Sequence, residues 1–337
     1  MGRARFQSLI SNRRADRVGF WMGNPHSTAL PRYLEFFDVP DQRVLAVKLG
    51  DDFAWLPADI LCWNHPEGKP TFDSLGGKKR ESLNQEGIFA ECDDPKELDR
   101  YEWPDANYID LDKLERMVDA AIVDDMAPIS GSWSCFYHIV ADFFGMENYF
   151  LKMYTDPDMV LALTEKVVEF YLAANARVFE RLRGKIDAFF LGNDFGSQLD
   201  LLISPECFRR FVLPYFRRLI DQAKAHGLKV MLHSCGAIDK VIPDLIDAGI
   251  DALHPLQALA RGMEAENLAK YKDHLLFVGG VDTQQLLPFG TPQMVKDEVR
   301  RLKDIFGPGW VVSPSHEALL KTVPPENLLA MRDAAVE

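Results

Sequence analysis

The chain has 337 residues, of which 47% are hydrophobic and 26% charged, and its formal net charge is -13. So acidic a surface argues against nucleic acid or an anionic membrane as a partner, although a local basic pocket remains compatible with an acidic substrate. No apolar stretch approaches the roughly 20 residues that span a bilayer, and five irregularly spaced cysteines behind a start that lacks a signal h-region point to a reduced, cytoplasmic protein.

In chain order, the apolar segments Arg17 to Gly23, Arg43 to Gly50 and Met126 to Trp133 read as strands. A long helix near Asp156 to Leu182 leads into a strand over Asp187 to Phe195. The next helix starts at Ser204-Pro205-Glu206, with Ser as N-cap and Pro at the first helical position. A kink is expected near Pro214 and a stop at Gly227. Further strands follow over Lys229 to Gly236, Asp251 to Gln257, Leu275 to Asp282 and Trp310 to His316, with helices between them.

These eight segments are apolar right through and alternate with helices. That pattern means a parallel sheet covered on both faces, and eight units suggest an α/β fold of the (β/α)8 TIM barrel type. An open doubly wound sheet is the alternative. Residues 1–337 are expected to form a single domain. Asp51 to Arg100 break the repeat; this polar stretch is expected to be an insertion of short antiparallel strands over the barrel mouth, with Glu86 to Cys92 as its best strand.

The active site of such a barrel lies at the C-terminal ends of its strands. His233-Ser234-Cys235-Gly236 ends an apolar run, and residues i and i+2 of a strand share a face. An imidazole and a thiol on one face suit zinc better than magnesium or calcium. His316, at the end of the last strand, would complete a His, Cys, His set with one position open. Asp194, Glu317 and Asp52 are candidate acid, base or orienting groups, since a desolvated carboxyl has a raised pKa. His26, Trp133, Asn193, Gln198, Gln257 and Asp282 also stand at expected strand ends, as candidate substrate contacts. His254 stands at one too, without an assigned role.

The segments GNDFGSQLDLLISPECFRRFVLPYFRRLI, LHSCGAIDKVIPDLIDAGIDALHPLQ, GGVDTQQLLPFGTP and SPSHEALLKTVPPENLLAM resemble the uroporphyrinogen decarboxylase superfamily in order and spacing. The resemblance implies a (β/α)8 barrel and one of two activities: cofactor-free decarboxylation, or methyl transfer to or from a corrinoid protein, often with zinc. The decarboxylases carry an N-terminal motif of the type R-Q-A-G-R that meets substrate carboxylates. Here Trp21-Met22-Gly23-Asn24-Pro25-His26 stands in that place, without an arginine. The methyltransferases' H-x-C maps onto His233 and Cys235. Their usual third zinc ligand is a cysteine of the last loop, which here reads Ser313-Pro314-Ser315-His316.

The resemblance therefore implies a zinc-dependent methyltransferase. It would act on an aryl methyl ether or a thiol, with cobalamin on a partner corrinoid protein and a homodimer as the expected assembly. A metal-independent decarboxylase of a smaller carboxylate, or a tetrapyrrole one, is the first alternative. A non-catalytic ligand-binding barrel is the second.

Overall fold

The computed structural model describes residues 1–82 and 84–337. Its strands are β1 (Gly19–Phe20), β2 (Asn24–Pro25), β3 (Phe53–Pro57), β4 (Ala127–Gly131), β5 (Ala188–Gly192), β6 (Lys229–His233), β7 (Ala252–His254), β8 (Leu276–Val281), β9 (Trp310–Pro314) and β10 (Ala318–Leu319). Eight of them form one curled sheet in the order β1-β9-β8-β7-β6-β5-β4-β3. Every pair in it is parallel, so the chain must cross over between strands, and it does so mostly through helices. The result is an α/β, TIM-barrel-like fold.

Alternate residues of these strands point to opposite sides. Phe53, Ile129, Phe190, Met231 and Val278 share one inner cluster, whereas Leu56, Phe189, Leu232 and Phe277 join the outer core under the helices. The N-terminal helix Gly2–Asn12 closes the lower end of the barrel with Phe6, Leu9 and Ile10, all buried in the inner cluster. One phase of each strand therefore fills the interior, and its continuation at the upper end points polar groups into the mouth.

Two expectations fail together. Arg43 to Gly50 is not a strand: helix Gln42–Leu49 occupies it, capped by the Asp41 carboxylate, which accepts from the Val44 N–H. The strand in that position of the sheet is β3, inside the stretch expected to be an insertion. Apolar content alone does not separate a short buried strand from a helix, and here the cap decided for helix. Glu86 to Cys92 also forms no strand. Instead Phe72 packs edge-on against Phe143 and Phe170 and Tyr101 edge-on against Phe143, on the outer helices Phe136–Phe144 and Pro157–Arg181, while the Phe89 ring lies tilted against Phe143 and edge-on to Tyr101. Burial of these rings against helices replaces strand pairing in this segment.

Near Pro214 the helix is irregular. A π-turn over Phe208–Val212 runs into helix Leu213–Ala225, whose second residue is Pro214. Proline has no N–H to give the preceding turn, and the wider turn accommodates its ring. Among the described residues no helix is long and apolar enough to cross a membrane.

Candidate metal centre

β6 ends at His233, so strand geometry carries the imidazole to the mouth but not the thiol. Cys235 is delivered by the turn that follows. The Cys235 N–H donates to Asp194 Oδ1 at 2.8 Å, and the Gly236 N–H donates to Gln257 Oε1 at 2.7 Å. Gly236 has φ +86, and a Cβ there would lie 2.1 Å from the Gly196 carbonyl oxygen, so the turn requires glycine.

His233 Nε2 lies 3.2 Å from Asp194 Oδ1 and 3.5 Å from Cys235 Sγ. The nitrogen, sulfur and oxygen donors of His233, Cys235 and Asp194 all lie within 4.8 Å of one another. The 3.2 and 3.5 Å separations from His233 Nε2 lie within the span of one ion bonded at about 2.0–2.3 Å to each donor, and an N, S, O set suits zinc.

The other face of the ring is fixed as well. His233 Nδ1 is 2.9 Å from His254 Nδ1, and both rings are buried. One nitrogen of the two must donate. Burial, reinforced by the neighbouring His233 and His316, holds His254 well below the usual histidine range. A neutral His254 accepts at Nδ1 from His233 Nδ1–H, so that His233, on giving up its other proton, presents the Nε2 lone pair to the ligand cluster. Its own Nε2 has no hydrogen-bond partner and is closed in by Trp21 and Phe190.

Charge around His233 favours a cation. Burial opposes the imidazolium, yet Cys235, Glu317 and Asp194 together raise its pKa well above the usual value. Asp194 is held low for the reciprocal reason: its burial is outweighed by the His233 hydrogen bond and charge. Glu317 Oε2 lies 3.5 Å from His233 Nδ1 and 3.3 Å from His316 Nδ1, and it is buried without a hydrogen-bond partner.

His316 and Glu317 reach this cluster because β10 pairs with β2, Ala318 opposite Asn24, pinning the loop after β9. The His316 ring stands 6.2 Å from the His233 ring and faces the Cys235 thiol, which raises its pKa. Its Nδ1 accepts from the Ala318 N–H at 3.0 Å. In a neutral ring this places the proton on Nε2, so that nitrogen would have to lose it to bind a metal.

The expected substrate contacts divide. Trp133 belongs to the mouth: its ring is 5.3 Å from His233 and 4.8 Å from Trp55. It fits because position 192 is glycine, where a Cβ would come within 1.9 Å of the indole. Asn193, Gln257 and Asp282 are spent on the fold. Asn193 accepts from Tyr137 N–H and donates to the Ser134 carbonyl. Gln257 holds Gly236, as above, and Asp282 accepts from the N–H groups of Gln284, Gln285 and Leu286. His26 is exposed and accepts from the Thr28 N–H in the turn before helix Leu30–Phe37. Gln198 is exposed on the loop after β5.

Asp52 is displaced from the mouth altogether. It precedes β3 and so lies at the opposite, N-terminal end of the barrel. Its carboxylate accepts from Arg5 at 2.5 Å and from the Phe20 N–H at 2.8 Å. The expectation that it ended a strand depended on reading Arg43 to Gly50 as one.

Residues 91–337 match the family described as uroporphyrinogen decarboxylase (URO-D). Among curated proteins, the chain is 28% identical over 185 residues to the methylated-thiol–coenzyme M methyltransferase of Methanosarcina mazei, covering 52% of this chain and 45% of that one. It is also 28% identical over 190 residues to a uroporphyrinogen decarboxylase of Geobacter sp. strain M21, covering 54% and 50%. It is 23% identical over 205 residues to the methylcobamide:CoM methyltransferase MtbA of Methanosarcina acetivorans, covering 61% and 56%. The chain thus spans about half the length of the curated relatives it matches. A solved methyltransferase from Methanosarcina mazei superposes over 99% of this chain and 98% of its own with a TM-score of 0.68 at 15% identity, a likeness of fold.

Proposed function

The chain belongs to the uroporphyrinogen decarboxylase family, and from that premise we propose that it is a zinc-dependent methyltransferase. It moves a methyl group between a small methylated substrate, an aryl methyl ether or a thiol, and a corrinoid carrier protein. The whole chain acts as one (β/α)8 barrel with its substrate at the mouth. The observation that carries this reading is the clustering of His233, Cys235 and Asp194 donors beneath Trp133.

His233 Nε2 and Cys235 Sγ are two zinc ligands in this proposal. Asp194 is favoured over His316 as the third, because its oxygen already lies in the cluster whereas His316 carries its proton on the facing nitrogen. A bound zinc ion supplies a Lewis acid that stabilises a thiolate or a departing oxygen. His254 keeps the His233 lone pair directed at the ligand position. Glu317, unpartnered between two imidazoles, is the group free to hold or pass a proton at Oε2. Trp133 and Trp55 exclude water above the cluster.

Decarboxylation of a polycarboxylate is disfavoured by the same mouth. Its charged groups nearest His233 are Asp194 and Glu317, which repel carboxylates, and the Trp21 to His26 segment supplies no arginine.

Elemental analysis of the chelator-rinsed protein tests the reading. About one zinc per chain, lost in Cys235→Ala, is expected; corrinoid-dependent demethylation of methoxyarenes and methylated thiols is then assayed. Absence of zinc from both proteins would sink the metal mechanism.

A further inference from the structure

β1 and β3 are the two edges of the curled sheet, and one backbone hydrogen bond and two to carboxylates, rather than a ladder, join their lower ends. At the lower end the Asp52 N–H donates to the Phe20 carbonyl, Phe20 N–H to Asp52 Oδ2, and Met22 N–H to Asp51 Oδ1. Above these bonds the strands separate. A cavity of about 710 Å³ fills the gap, between helices Gln42–Leu49 and Leu111–Val123. It has the size of a small-molecule pocket.

Its inner wall is Trp21, Phe53 and Trp55. The far sides of these rings face the barrel interior, with Trp21 against His254 and Trp55 against Trp133. Two residues of this wall carry buried polar groups. Trp55 Nε1 is buried with no acceptor. Asp51 is 5% exposed and, among the described residues, no cation pairs with it. Burial holds its carboxyl well above the usual range, while its Oδ1 accepts from the Met22 N–H at 2.9 Å. The outer rim has the opposite character. Arg43, Lys113 and Arg116 line it against one carboxylate near the surface, Asp124, which Arg43 already engages. This cationic rim stands out on a chain of net charge -13.

We infer that the seam between β1 and β3 is a second small-molecule site, separate from the metal cluster, that takes an aromatic monoanion. The ring lies along Trp21 and Trp55, and the anion sits at Lys113 and Arg116. Neither the apolar wall nor the rim alone selects this class; their separation across one cavity does.

Titration of the full-length protein with 6-hydroxy-2-naphthoate, read by tryptophan fluorescence, tests it. One equivalent is expected to bind and quench the tryptophans. Arg116→Glu, at an exposed position that leaves folding intact, is expected to weaken binding at least about tenfold. Ala120→Trp, which fills the cavity from helix Leu111–Val123, is expected to abolish it. Absence of saturable binding overturns the inference, as does binding indifferent to both substitutions. Binding that disappears in Cys235→Ala places the probe at the mouth and overturns it as well.

Discussion

At the scale of single residues, the site depends on partners that touch no substrate. His254 sets the tautomer of His233 through one Nδ1–Nδ1 contact of 2.9 Å. His254→Phe keeps the ring volume and removes the acceptor, so zinc affinity is expected to fall about 10- to 100-fold in a chelator competition titration. Unchanged affinity would show that His254 only packs. Cysteine chemistry is graded by burial. Desolvation pushes the Cys135 thiol up to about 12 and raises Cys62 and Cys92 too; Cys235, half-buried like Cys135, stands at the mouth. Iodoacetamide at neutral pH is expected to modify Cys235 ahead of those three, and added zinc to protect it, as peptide mass mapping would read.

At the scale of elements, strand ends and helix caps divide the polar residues between chemistry and architecture. Asp52 and Arg5 tie the N-terminal helix to the seam at the lower end of the barrel, both with side chains almost wholly buried. Asp52→Ala leaves that guanidinium with only the exposed Asp16 as counter-ion. The expected loss is about 3 kcal/mol in urea unfolding, with zinc content per folded chain unaltered. Loss of zinc without loss of stability would return Asp52 to the active site. The turn after β6 obeys the same logic. Asp194 and Gln257 hold its N–H groups, so Cys235 reaches His233 through loop hydrogen bonds from β5 and β7, beyond the end of its own strand.

At the scale of the whole molecule, buried acids shape the pH response. Burial lifts Asp59 to about 6, although its carboxylate accepts from the Trp133 N–H. Its folded pKa thus exceeds the unfolded one near 3.9. Below pH 4 both states are protonated and the group is neutral toward stability. Between pH 4 and 6 the unfolded chain ionises first, so stability falls as pH rises, and above 6 the loss is constant. Asp59→Asn keeps an acceptor for Trp133; it is expected to flatten that window and to raise the melting temperature at pH 7 more than at pH 4. The sequence by itself determined the alternation of apolar strands and helices, because burial on both faces leaves runs such as Lys229 to His233 without polar interruption. It also determined His233 and Cys235 as one cluster, because two residues of spacing cannot separate far in any turn. It misplaced the second strand, since Gln42–Leu49 and Phe53–Pro57 are both short and apolar, and the Asp41 cap on the first and the pairing of the second with β4 choose between them. The tertiary structure alone brought Asp194, His254 and Glu317 around His233, from β5, β7 and the loop after β9. The reason is physical: parallel pairing sets strand ends side by side, and no local pattern records which ends become neighbours.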